Sequence, residues 1–132
     1  MYVFKTSKEI LNFLNKTNKS IGLVPTMGAL HLGHESLIKK ALIENEIVIV
    51  TIFINPTQFD NKDDLINYPR NIESDVEKIK KLDSKIIIYN PSIKDIYIDN
   101  INVKDFNFGF IGNELEGHFR KNHFNSVATI VE

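Results

Sequence analysis

Two histidines, His31 and His34, lie three residues apart near the start of the chain, and this spacing could direct both rings at one anion. An imidazole can donate a hydrogen bond in its neutral or its charged form. The pair can therefore stabilise negative charge that grows during phosphoryl or nucleotidyl transfer. Such a transfer depends on positioning and charge stabilisation more than on a covalent protein nucleophile. This chemistry suits a chain without cysteine.

The loop that carries the histidines, residues 25–34, has the features of a phosphate-binding turn. Gly28 allows the backbone to turn or to approach a ligand closely, and Gly33 allows the chain to enter a helix without side-chain obstruction. Backbone N–H groups and the helix dipole favour an anion at such a helix N-terminus. We therefore predict an anion site in this loop.

Other interpretations of the histidine pair stay open on the residues alone. The two could be unrelated surface residues or part of a zinc site, although the helical metalloprotease motif spaces its histidines by four and no third ligand is obvious. The motifs GxxxxGK[ST], GxGxxG and GxSxG are absent. Their absence excludes P-loop NTPases, ordinary NAD-binding proteins and serine hydrolases.

Alternating strands and helices must position this loop. Apolar, β-branched segments indicate buried strands, and apolar residues at helical spacing indicate the helices between them. The strands are predicted at residues 21–24, 47–54 and 85–89. A first helix, with a capping box of Thr6 and Glu9, precedes them. Two further helices lie between the strands, one starting near residue 33 and one capped by Asn71. This order predicts an α/β fold, a Rossmann-like parallel sheet with helices on both faces. Ligands bind such sheets beyond the carboxyl ends of the strands, where the histidine loop lies.

The pattern is less regular after Pro91. Residues 101–106 could form a further strand, residues 109–117 a loop or short helix, and residues 126–131 a strand or a helix. Because neither an internal repeat nor a linker is present, residues 1–132 are predicted to form a single domain.

Composition excludes several classes of function. Sixteen basic and 17 acidic residues give a net charge of -1, so no overall field favours nucleic acid or an anionic membrane. The absence of cysteine excludes disulfide scaffolds and Cys-ligated metals and fits a reducing compartment. The longest apolar run, residues 47–54, is too short to span a membrane, and no signal peptide is evident. We expect a cytoplasmic protein.

Longer motifs point to a known family. HxGH after the first strand resembles the nucleotidyltransferase superfamily. The fuller string VPTMGALHLGH (residues 24–34), followed by VTIFINPTQF (residues 50–59) and Tyr68-Pro69-Arg70, closely resembles the pantothenate synthetase, or pantoate–β-alanine ligase, family. The similarity continues to residues 123–129 and covers essentially the whole chain.

This resemblance implies a two-step reaction that depends on ATP and Mg²⁺. Pantoate carboxylate attacks the α-phosphorus of ATP, which releases pyrophosphate and gives pantoyl adenylate. The amine of β-alanine then displaces AMP to give pantothenate. The site must keep water away from the mixed anhydride. Members of the family usually pair through this domain, so a homodimer is also expected.

The resemblance also assigns roles to individual residues. His34 would be the proton donor and His31 a second phosphate contact. Gln58 would hold pantoate and later β-alanine, because a side-chain amide can donate and accept. Asp75 matches an acidic position near the magnesium of the family, although the helix dipole also explains an Asp in a first helical turn. The ATP site would be lined by Met27, Gly28, Ala29, Leu30, His31, Leu32, Gly33 and His34.

The chain departs from the family in two respects. The family continues into GEKD-like and SSRN-like segments and a carboxy-terminal lid domain, so we expect this chain to be a truncated amino-terminal portion with little activity alone. In addition, Asn122 and Ser126 replace two family glycines. Asn tolerates positive φ, whereas Ser126 would hinder a close approach of backbone to ligand.

Two alternative functions remain. One is a nucleotide-binding or dimerisation module without catalysis. The other is a different HxGH nucleotidylyltransferase, but those enzymes lack the NPTQF loop that contains Gln58.

Overall fold

The structure, a computed structural model, describes residues 2–97, 103–104 and 123–132. The strands are β1 (Tyr2–Phe4), β2 (Ile21–Thr26), β3 (Ile47–Ile52) and β4 (Ile87–Tyr89). The helices are α1 (Ser7–Leu14), α2 (Leu32–Glu44), α3 (Lys62–Asn67), α4 (Ile72–Leu82), α5 (Ile93–Ile96) and α6 (His123–Val131), with a 3₁₀ turn at Pro56–Gln58.

The chain divides into two compact units. We call them the sheet unit, Met1–Ile54 with Pro69–Asp95, and the turn unit, Asn55–Tyr68 with Ile96–Glu132. The interpretation of residues 1–132 as a single domain stays a prediction, and each unit is described below by itself.

Four parallel strands in the order β1-β4-β3-β2 form the sheet. This confirms the predicted parallel α/β fold. The sequence patterns did not indicate β1, because three residues are too few to show a period. It is a strand because it pairs with β4, with Val3 opposite Ile88.

Apolar side chains cover both faces of the sheet. On one face, α2 and α4 pack over a cluster that includes Ile38, Val50 and Ile79. On the other face, α1 packs over Ile49 and Ile87. Because neighbouring residues of a strand face opposite ways, the nearly continuous apolar sequence of β3 serves both clusters.

The predicted helix ends are confirmed. Thr6 and Glu9 form the capping box of α1. The Asn71 side chain accepts a hydrogen bond from the Ser74 N–H at the start of α4, whose last turn carries Lys80 and Lys81. Acidic residues at the start and basic residues at the end complement the helix dipole.

In the turn unit, residues 126–131 belong to helix α6. The sequence was compatible with either a strand or a helix here, and the structure shows a helix. The predictions for residues 109–117 and for Asn122 lie outside the described residues. So does the possible strand at 101–106, apart from residues 103–104, which are in neither a helix nor a strand. Within the described ranges, none of the helices has the length and apolar character needed to cross a bilayer.

Candidate functional site

The loop after β2 turns through two left-handed residues, Gly28 with φ 78° and Ala29 with φ 51°. A Cβ on Gly28 would lie 2.9 Å from Asp75 Oδ2 and 3.2 Å from Ile52 Cγ2, so this position has room only for glycine. The Gly28 N–H donates to Thr26 Oγ1 at 3.1 Å, and that hydroxyl donates to the Thr51 carbonyl. The predicted tight turn at Gly28 therefore has both a conformational and a steric cause.

Asp75, in the first turn of α4, holds the loop from the other side. Its Oδ2 accepts from the Ala29 N–H and its Oδ1 from the Leu30 N–H, both at 3.0 Å. The carboxylate is buried, and these two donors and the start of the helix compensate its charge. Lys78, one turn later, donates from Nζ to the Leu30 carbonyl at 2.9 Å. The two residues of α4 thereby fix the backbone of residues 29–30.

The predicted proximity of Asp75 to magnesium stays a prediction. Each of its carboxylate oxygens already accepts a backbone N–H. Across residues 2–97, 103–104 and 123–132, His, Asp and Glu side chains nowhere gather in a group of three that could hold a metal ion. Mg²⁺ usually keeps several waters and binds through one or two carboxylates together with substrate phosphates, so a single carboxylate such as Asp75 is compatible with it.

The two predicted histidines lie together at the start of α2, with ring centroids 4.0 Å apart. His31 is the N-cap, and its Nδ1 accepts from the Gly33 N–H at 3.1 Å. His34 Nδ1 accepts from the His31 N–H, also at 3.1 Å. Because each Nδ1 accepts a hydrogen bond, the proton of each neutral ring is on Nε2. Both rings therefore carry an N–H donor on the side opposite the backbone.

The pKa of His34 is lowered from its ordinary value of 6.5. Burial is the main cause and repulsion from His31 adds to it, whereas the Asp75 charge partly opposes both. His34 is therefore neutral near pH 7 and donates through Nε2.

The remaining residues of the loop differ in how exposed their side chains are. The Leu30 side chain is buried in the core of the sheet unit, so only its backbone belongs to the loop surface. Leu32 is exposed and Met27 is half-buried. A Cβ on Gly33 would lie 2.9 Å from the His31 ring, so Gly33 leaves space for that ring in addition to its predicted role at the helix entry.

The predicted substrate residue Gln58 lies in the turn unit, at the end of the 3₁₀ turn, and is buried. Its Oε1 accepts from Asn55 Nδ2 at 3.1 Å. Asn55 in turn contacts Thr57, Tyr97 and the Ser126 backbone. The sequence patterns predict no role for Asn55 or Tyr97. An Asn before a Pro that opens a turn is a recognisable cap signal for Asn55, but no local pattern marks Tyr97.

Ser126, one of the two departures from family glycines, is fully buried in α6. Its Oγ donates to the Thr57 carbonyl at 2.7 Å. The added hydroxyl therefore has a hydrogen-bond partner within its own unit.

Comparisons with known proteins agree with these features. The profile of the family described as pantoate-beta-alanine ligase matches residues 2–132. Pantothenate synthetase of Flavobacterium psychrophilum is 47% identical over 135 residues, covering 100% of this chain and 48% of the relative. That of Francisella tularensis subsp. novicida is 48% identical over 127 residues, covering 96% of this chain and 48% of the relative.

Solved structures are also similar. The pantoate-beta-alanine ligase from Francisella tularensis, complexed with beta-gamma ATP and beta-alanine, has a TM-score of 0.91 and 44% identity, covering 99% of this chain and 51% of that one. Pantothenate synthetase from Thermus thermophilus has a TM-score of 0.86 and 31% identity, covering 99% and 46%. The chain thus spans about half the length of these relatives. It belongs to the pantoate–β-alanine ligase family.

Proposed function

We propose that this chain supplies the nucleotide loop and a substrate-binding glutamine of an enzyme that joins pantoate and β-alanine to pantothenate through pantoyl adenylate. The observation that carries the proposal is the pair of Nε2 donors on His31 and His34, at the start of α2. The Francisella tularensis relative, whose structure holds an ATP compound and β-alanine, supports ATP and β-alanine as substrates. Pantoate is supported by the name of the family.

In the first step, a pantoate carboxylate oxygen bonds to the α-phosphorus of ATP, and the bond from that phosphorus to the bridging oxygen of pyrophosphate breaks. Negative charge grows on the phosphate oxygens, and the two Nε2–H groups stabilise it as fixed donors. The lowered pKa of His34 in the free chain favours hydrogen bonding through Nε2 over proton transfer as its contribution to this step. This refines the proton-donor role that the resemblance implies.

In the second step, the amine of β-alanine bonds to the activated carbonyl carbon, AMP leaves and the amine loses a proton. The donors that stabilise charge in the first step can also bind the phosphate of departing AMP. Gln58 would bind pantoate and later β-alanine.

Mg²⁺ enters the proposal only through the family resemblance. We assign it no step, and only the resemblance places Asp75 near it. A cytoplasmic homodimer likewise stays a prediction.

Pantoate-dependent exchange of labelled pyrophosphate into ATP tests the first step. Because the chain spans half of its relatives, we would compare the 132-residue chain with a chimera that continues as the second half of the Flavobacterium psychrophilum enzyme. We expect exchange by the chimera and a loss of about 10²- to 10³-fold in its His34→Ala variant, the typical effect of one lost donor. Lys40→Ala, an exposed position on the same helix, serves as the control.

Absence of exchange by a folded chimera, or equal rates with and without His34, would contradict the proposal. ATP binding measured by calorimetry without any exchange would instead favour the binding module without catalysis.

A further inference from the structure

The orientation of the Asn55 amide is fixed by two backbone groups of the turn unit. The Thr57 N–H donates to Asn55 Oδ1 at 3.3 Å, and Asn55 Nδ2 donates to the Ser126 carbonyl at 3.2 Å. A backbone N–H cannot accept and a carbonyl cannot donate, so the oxygen and nitrogen of this amide cannot exchange places. Asn55 is also completely buried, where an unmatched polar atom would be costly.

This orientation determines that of Gln58. Asn55 Nδ2 also donates to Gln58 Oε1 at 3.1 Å. A donor requires an acceptor, so the oxygen of the Gln58 amide faces Asn55 and its NH₂ group lies on the other side of the amide carbon. The N–H donors of Gln58 are therefore directed away from Asn55.

Two hydroxyls from distant parts of the sequence hold this arrangement. The Tyr97 OH donates to Asn55 Oδ1 at 2.8 Å, from 42 residues away. Ser126 Oγ donates to the Thr57 carbonyl at 2.7 Å, from 69 residues away. Thr57 Oγ1 donates to the same Asn55 oxygen at 2.9 Å. The 3₁₀ turn that carries Gln58 is thus tied to both segments.

We propose that Tyr97 and Ser126 are positioning residues, which act through Asn55 and Thr57 to present the Gln58 NH₂ group to an acceptor on the substrate. A carboxylate is the acceptor of choice, because it has only acceptor sites and is charged. The identification of that substrate as pantoate rests on the proposed function. Ser126 thereby gains a role that the glycine of the family could not perform.

Side-chain amide NMR signals of the ¹⁵N-labelled chain test the proposal. In Tyr97→Phe, the Asn55 and Gln58 side-chain signals should shift in the free protein. The pantoate dissociation constant, measured by titration of the same signals, should rise about 3- to 10-fold, the effect of one neutral hydrogen bond. The matched control is Tyr89→Phe, which removes a hydroxyl bonded to Asp95 in the sheet unit. It should leave the Asn55 and Gln58 signals unchanged.

Ser126→Ala provides an independent variant if Tyr97→Phe does not fold. It removes only the bond to the Thr57 carbonyl and should shift the same two signals. Signals that respond to neither variant, or pantoate affinity that is unchanged in both, would overturn the positioning role.

Pantoate as the ligand, which belongs to the proposed function, can be contradicted independently of the positioning role. If the Asn55 and Gln58 signals respond to Tyr97→Phe but pantoate moves no signal of either the unmodified chain or the chimera, the positioning of Gln58 is supported and pantoate as its ligand is contradicted.

Discussion

Ala29 has a left-handed backbone although it is not glycine, and Asp75 accepts hydrogen bonds from the N–H groups of Ala29 and of the next residue. The left-handed conformation costs an L-residue about 1–2 kcal/mol. Two charge-assisted hydrogen bonds can offset that cost. Asp75 thus stabilises the shape of the histidine loop, which adds a role to the helix-dipole contribution expected from its position.

Asp75→Asn should test this role. One carboxylate oxygen becomes an NH₂ group that faces a backbone N–H, so a buried donor meets a donor. We expect the free energy of unfolding to fall by about 1–3 kcal/mol, measured by urea denaturation. Glu73→Gln is the matched control, because it removes a charge from the same helical turn at an exposed position. Equal losses in the two variants would reduce the role of Asp75 to the helix dipole.

The lowered pKa of His34 predicts how stability depends on pH. Since the pKa in the folded state lies below the unfolded value of 6.5, the unfolded chain binds this proton more readily. The contribution of His34 is therefore complete above pH 6.5 and is lost as the pH falls through 6.5 toward the folded pKa. Protonation at Nδ1 would also break its hydrogen bond with the His31 N–H.

We expect an NMR titration of the His34 ring to show a midpoint below 6.5, and urea unfolding to show stability falling between pH 7 and pH 5. His34→Gln should weaken this pH dependence, since glutamine does not titrate. A His34 midpoint above 6.5 would contradict the burial that lowers its pKa.

At the scale of elements, α4 combines a packing role with a site role. Its Ile79 is completely buried beneath the sheet, and its Asp75 and Lys78 hold the histidine loop. Both depend on the register of the helix, which the Asn71 cap sets. The core of the sheet unit and the geometry of the loop are therefore linked through one helix.

Ile79→Ala should destabilise the protein by about 2–5 kcal/mol in thermal or urea unfolding, because it leaves a cavity in the core. The matched control, Ile43→Ala on α2, changes a side chain that is 82% exposed and should alter stability by less than about 0.5 kcal/mol. Similar effects of the two variants would show that Ile79 does not pack as described.

At the scale of the whole molecule, a net charge of -1 gives no long-range field to attract nucleotide phosphates. The proposed anion binding would therefore depend on local groups, the start of α2 and its two histidines. The chain also spans about half of its relatives, which is why the exchange experiment compares it with a chimera.

Local patterns in the sequence were sufficient for much of this protein. The helix caps and the buried strands are set by residues close together in the chain, so spacing and residue type predicted them. The same patterns predicted a turn at Gly28, although Asp75 and Lys78 hold that loop from far along the chain. Spacing and residue type also predicted His31 and His34, whereas the substrate role of Gln58 came from the family motifs. The short strand β1 was missed because its stability comes from pairing with β4, more than 80 residues later.

Contacts between residues far apart in the chain hold the site residues in place. Asp75 is joined to Leu30 across 45 residues, Tyr97 to Asn55 across 42, and Asn55 to Ser126 across 71. No periodicity or motif spans such distances, because a hydrogen bond between remote residues depends on the path of the folded chain. The residue types thus determined which chemistry is available, and the fold determined the orientation in which His34 and Gln58 offer it.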